Sequence, residues 1–196
     1  ISTWFIVFYC HIYHAFNFLT YLANRLDIGV ISYDYPGYGL SEGLPTESKC
    51  YKSLHLVLTY MKHYLNITND QITLMGRSLG TGIVVDYVAK TKWKYPIVLI
   101  SPYKSILRIA FDTHYTIPFD KFDTYRKLNA VRCPVKIFHG ENDVLVNISH
   151  GKEIYDKLHN KIFFPTWIPD TDHNNITSKI SLDELLEVID YEKQEK

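Results

Sequence analysis

The chain has 196 residues, 46% of them hydrophobic, and its 21 basic residues balance 21 acidic ones for a net charge of zero. That length suits one ordinary domain. With no basic excess to neutralise phosphates, nucleic acid is not expected as a partner, and no apolar run nears the roughly 18 residues of a membrane-spanning helix.

Strand-length apolar runs alternate with segments of helical period along the whole chain. The first strand is expected over 4–10 and is followed by a helix over 16–26. A second strand, 28–34, leads to a helix over 46–66, in which Leu54, Val57, Met61 and Tyr64 recur at three- and four-residue steps. Strand 71–75 feeds helix 79–90, strand 96–101 feeds helix 105–111, and strand 134–138 feeds helix 148–158. A last strand over 162–168 precedes a last helix over 182–191. Most of these strands are nearly continuous runs of Val, Ile, Leu and aromatics, the pattern of strands covered on both faces. The alternation predicts an α/β fold with a mostly parallel sheet and helices on both faces. Ligands of such sheets bind at the carboxyl ends of the strands.

Chemistry is expected where Gly76-Arg77-Ser78-Leu79-Gly80 joins the strand over 71–75 to the helix over 79–90. Gly-x-Ser-x-Gly between a buried strand and a helix is the sharp turn that lifts a nucleophilic hydroxyl above a sheet. The flanking glycines are needed because the reversal leaves no room for side chains, and the serine between them is strained. The helix that follows aims free N–H groups at the site, so the Leu79 N–H is one expected oxyanion donor.

A serine hydroxyl needs an imidazole to take its proton and a carboxylate to orient that imidazole. In this architecture the partners follow in the order Ser, Asp or Glu, His. Among nine histidines only His173 comes after the last strand. His11 and His14 precede the serine, His55, His63 and His159 fall in or at the end of helical periods, and His150 opens a helix. His139 stands just before the acid and is expected to support its loop. Asp143, on the loop after strand 134–138, is the favoured orienter, with Glu141 and Asp172 as rivals.

These features together resemble the α/β-hydrolase superfamily, and within it the compact eukaryotic branch of protein depalmitoylases and bud-emergence-type hydrolases. The resemblance covers residues 18–190. It includes Ser32-Tyr33-Asp34-Tyr35-Pro36-Gly37-Tyr38-Gly39, the Gly-x-Ser-x-Gly turn, Ser101-Pro102, and His139-Gly140 through Asp143. It implies a triad of Ser78, Asp143 and His173, needing no cofactor or metal, in one domain over 1–196. The tyrosine-rich loop is expected to be architectural. The family's second oxyanion donor follows a His-Gly pair; here His11-Ile12-Tyr13 has Ile in place of Gly, which leaves the Tyr13 N–H as the candidate. The family's edge hairpin is not visible before Trp4, so an N-terminally truncated domain is expected.

The segment 102–133 reads as a short lid with one helix. Ile106, Phe111 and Phe119 are candidates to line an acyl groove, and covering the sheet is the alternative. The resemblance implies a serine esterase or thioesterase acting on an acylated protein or lipid. Two other readings stand beside it, a hydrolase-fold binding protein without turnover and a serine peptidase. Cys10, Cys50 and Cys133 form no C-x-x-C pair, which suits reduced thiols. A cytosol-facing protein that meets membranes peripherally, through a segment ahead of Ile1, is the expectation.

Overall fold

The computed structural model describes residues 3–8, 12–111 and 120–194. Six strands, β1 (Trp4–Phe8), β2 (Gly29–Ser32), β3 (Ile72–Arg77), β4 (Ile97–Ile100), β5 (Val135–Gly140) and β6 (Thr166–Ile168), form one sheet in the order β2-β1-β3-β4-β5-β6. Every pairing is parallel. The helices are α1 (Ile12–Leu26), α2 (Glu47–Tyr64), α3 (Leu79–Thr91), α4 (Ile106–Phe111), α5 (Thr124–Lys127), α6 (Ile148–Lys157) and α7 (Leu182–Gln194). This is the expected α/β-hydrolase sheet with helices on both faces.

The apolar runs are continuous because each strand feeds two cores. Ile6, Leu74, Ile97, Leu99 and Ile137 face a core shared with α2, α3 and α6, through Leu54, Val84 and Ile154 among others. Their chain neighbours Phe5, Val7, Met75, Val98, Ile100 and Phe138 face the opposite core, closed by Leu22 of α1 and Leu185 of α7. Alternation of side chains along a strand makes this division unavoidable.

Several elements differ from expectation. Helix α1 begins at Ile12, four residues early, so Ile12 and Tyr13 open the helix. Its buried stripe runs Ala15, Leu19, Leu22, and a stripe that opens on alanine is weak in sequence. Strand β6 is only three residues long, because Pro165 has no N–H to pair and Phe164 turns outward. Helix α5, capped by Asp123 accepting from the Arg126 N–H, was not expected. In the tyrosine-rich loop Tyr35 is fully buried and Ser41 Oγ donates to the Asp34 carbonyl at 2.9 Å, an architectural arrangement.

The register aligns the strand ends: Phe8 lies beside Gly76, Arg77 beside Ile100, Ile100 beside Phe138, and Gly140 beside Ile168. Side chains on the loops that leave these ends therefore share one edge. Leu74, central in β3 and fully buried, tests the frame directly. Leu74→Ala is expected to cost about 2–5 kcal/mol, seen as a lower urea midpoint with an unchanged slope.

Candidate active site

Ser78 occupies the single turn residue between β3 and α3, with φ +49° and ψ −119°. A non-glycine residue in that region costs on the order of 1–3 kcal/mol and persists only if its surroundings hold it. They do: the Ser78 N–H donates to the Ile100 carbonyl at 2.9 Å, and the Ser78 carbonyl accepts from Thr81 N–H and Oγ1 at 2.9 and 2.7 Å. The reversal brings Gly76 so close to α3 that a Cβ there would lie 2.6 Å from the Gly80 carbonyl oxygen. Leu79 is the first residue of α3, so its N–H has no intrahelical acceptor and is available to a ligand.

Ser78, His173 and Asp143 meet in one hydrogen-bonded line. His173 Nε2 lies 3.0 Å from Ser78 Oγ, and His173 Nδ1 lies 2.7 Å from Asp143 Oδ2. An ionised Asp143 only accepts, so the ring proton sits on Nδ1 and Nε2 is left to accept from the serine. Asp143 is buried, and its Oδ1 accepts the N–H groups of Leu145 and Val146 at 3.0 and 2.8 Å. Burial pushes the Asp143 carboxyl up, but the His173 bond and the Val146 N–H outweigh it and hold it below its ordinary value.

The rival residues lie elsewhere. Glu141 is exposed, and Asp172 caps its own turn by accepting from the Asn174 and Asn175 N–H groups at 2.7 and 2.9 Å. His55, His63 and His159 are exposed, and His150 accepts from the Lys104 N–H. His139 is fully buried behind the acid, donates from Nε2 to the Val146 carbonyl at 2.8 Å and lies 3.7 Å from Asp143 Oδ2. It thus supports the acid loop, as its position in the sequence suggested. The acid and base loops are also joined to each other. Asn142 N–H donates to the Thr171 carbonyl at 2.9 Å, and a Cβ on Gly140 would fall 2.2 Å from that same oxygen.

Two residues escaped the sequence reading. Arg77, the unspecified position of the serine motif, donates from Nη2 to the main-chain carbonyl of His173. Lys104, in the segment read as a lid, is buried and binds both carboxylate oxygens of Glu153 at 2.9 Å. The start of that segment is therefore fastened to α6 rather than free to swing. Among the groove candidates Ile106 is partly exposed, while the Phe111 side chain and all of Phe119 lie outside the described residues. Tyr13 is the second residue of α1 with its ring 88% exposed, and residues 9–11 just before α1 lie outside the described residues. Among the described residues no cluster of His, Cys, Asp or Glu could hold a metal, and no helix is long and apolar enough to cross a membrane. Cys50 and Cys133 are buried free thiols; Cys10 lies outside the described residues.

A strand-turn-helix serine in line with a histidine and an aspartate on the loops after later strands of a parallel sheet defines an α/β-hydrolase site. The chain belongs to the α/β-hydrolase family. It is 49% identical over 183 residues to a putative α/β hydrolase, L404, of Acanthamoeba polyphaga mimivirus, a match covering 93% of this chain and 70% of that one. It is 34% identical over 161 residues to α/β hydrolase domain-containing protein 17C of Xenopus tropicalis, covering 82% of this chain and 51% of the relative. The chain thus spans about half the length of the vertebrate relatives it matches. No family model matches it. Among solved structures, an esterase from Pyrococcus furiosus superposes with a TM-score of 0.78 at 18% identity, over 98% of this chain and 83% of that one. A lidless α/β serine hydrolase from Xanthomonas campestris gives 0.64 at 15% identity, over 100% and 83%. At such identities these two likenesses concern the fold.

Burial pushes the His139 imidazole below its ordinary value of 6.5, so the folded state holds it neutral. The unfolded chain then binds the extra proton first, and stability present above pH 6.5 is lost as pH falls below it. His139→Gln is expected to flatten that part of the stability-pH curve. Urea midpoints on either side of pH 6.5 check it; an unchanged slope contradicts it.

Proposed function

We propose that this chain is a serine hydrolase that cleaves carboxylic ester or thioester bonds through an acyl-enzyme. The observation that carries the reading is the unbroken line from Ser78 Oγ through His173 to Asp143, at 3.0 and 2.7 Å. His173 Nε2 takes the Ser78 proton as Oγ bonds to the acyl carbon, and the carbonyl π electrons move to its oxygen. The Leu79 N–H donates to that oxyanion, with the Tyr13 N–H proposed as the second donor. Collapse of the tetrahedral intermediate breaks the bond to the leaving oxygen or sulfur, which takes the proton from His173. Water, deprotonated by His173, then releases the acid and restores Ser78.

The substrate class proposed is an acyl group carried by a protein or a lipid, as the resemblance to the depalmitoylase branch implies. Exposed apolar side chains at the carboxyl edge of the sheet support it. Val144 and Leu145 directly follow the acid, and Leu40 and Leu44 stand on the loop after β2; Val144 and Leu40 are 96% and 99% exposed. Such side chains suit a long acyl chain better than a small polar ester. The competing reading, a binding protein without turnover, rests on Ile12 standing where the family has glycine; loss of one oxyanion donor costs about 10²–10³ in turnover.

Labelling with a fluorophosphonate, which modifies an activated serine, separates the two. The chain is expected to label on Ser78, and Ser78→Ala and His173→Ala are expected not to. Asp143→Asn is expected to cut ester turnover by about 10⁴. A folded wild-type chain that takes no label contradicts the hydrolase reading.

A further inference from the structure

β6 is the edge strand of the sheet, and β5 and β4 lie between it and β3. At 4.7–4.9 Å per strand, His173 must be carried back about 14 Å from its own strand to the serine. The crossing loop, residues 169–175, contains neither helix nor strand. Its first part is tied to the acid loop, through Glu141 N–H to the Ile168 carbonyl at 3.0 Å and Asn142 N–H to the Thr171 carbonyl at 2.9 Å. Its last part is stiffened locally by Asp172, which accepts from the Asn174 and Asn175 N–H groups and donates its own N–H to Asn175 Oδ1. Local bonds shape the turn without setting where it stands over Ser78.

Arg77 supplies a contact from the nucleophile's side. It is the last residue of β3 and the chain neighbour of Ser78, and its Nη2 donates to the carbonyl of His173 itself. We propose that Arg77 is a positioning residue for the base, holding the His173 main chain so that Nε2 stands within hydrogen-bond reach of Ser78 Oγ. This deepens the acyl-transfer reading above and rests on it. The oxygen it binds is a main-chain carbonyl and not a reacting atom. It acts by fixing the end of a long crossing to the strand that carries the nucleophile. Arginine suits the task because its donors lie on a rigid planar fork and a charged donor strengthens the bond in a half-buried site. The oxygen it holds belongs to the base residue's own peptide unit, so a shift of Arg77 is passed to the imidazole with little slack. Displacement of a catalytic group by about 1 Å costs on the order of 100-fold in rate.

The test compares the wild-type chain with Arg77→Ala, Arg77→Gln and Arg77→Lys. It reads the rate of fluorophosphonate labelling of Ser78, and kcat and KM for a p-nitrophenyl acyl ester. Arg77→Ala is expected to label about 100-fold more slowly and to lose kcat while keeping KM. Arg77→Lys, or millimolar methylguanidinium added to Arg77→Ala, is expected to restore part of the loss. If Arg77→Ala does not fold, Arg77→Gln, which keeps most of the side chain's bulk, takes its place with the same expectation. Wild-type labelling with an equally fast Arg77 variant overturns the inference alone. A slow variant that neither lysine nor methylguanidinium improves also overturns it, because the loss is then structural. Absence of label on the wild-type chain overturns the acyl-transfer reading, and this inference falls with it.

Discussion

The carboxyl edge of this sheet is organised by one hydrogen bond, from His173 Nδ1–H to the buried Asp143 carboxylate at 2.7 Å. A carboxylate out of water is costly unless its lone pairs are used. Here the Leu145 and Val146 N–H groups and the imidazole use them. That satisfaction shapes the loop after β5 and sets the tautomer of His173. It also directs the free lone pair of Nε2 at Ser78. His139, buried beneath and kept neutral by its surroundings, closes the same loop through the Val146 carbonyl. Loss of the bond would leave a buried charge without its main partner and a base without a defined proton.

The second constraint is the strain at Ser78. Its φ of +49° is sustained by two neighbours in the fold, the Ile100 carbonyl on β4 and Thr81 one turn into α3. The same reversal exposes the hydroxyl and places the positive end of α3 beneath it. Both constraints need the strand ends to be level, and the parallel register makes them so. The two cores supply the rigidity on which that register depends.

The fold was legible because buried parallel strands announce themselves. Ile97-Val98-Leu99-Ile100 divides between two cores, so no polar residue interrupts it. Short or weakly striped elements were harder to read: α5 spans four residues and hangs on the Asp123 cap, and the buried stripe of α1 opens on Ala15. At the site, motif and chain order pointed to Ser78, Asp143 and His173, and the structure brings the three within hydrogen-bond distance. Arg77 was hidden because the motif leaves its position open and its partner lies 96 residues away. Lys104 was hidden because a lysine in a connecting segment reads as solvated until a buried partner such as Glu153 is seen. Residues 112–119 of that segment, with Phe119, and residues 9–11 lie outside the described residues, so the acyl groove and the second oxyanion donor stay with the proposal.

The central claim, that Ser78 accepts an acyl group, is tested most directly by mass. The chain is mixed with an activated acyl thioester, quenched in acid within one turnover, and measured intact and as peptides. An increase equal to the acyl group, located on Ser78 and absent from Ser78→Ala, is the predicted result. No adduct on the folded chain, or an adduct that persists in Ser78→Ala, would contradict it.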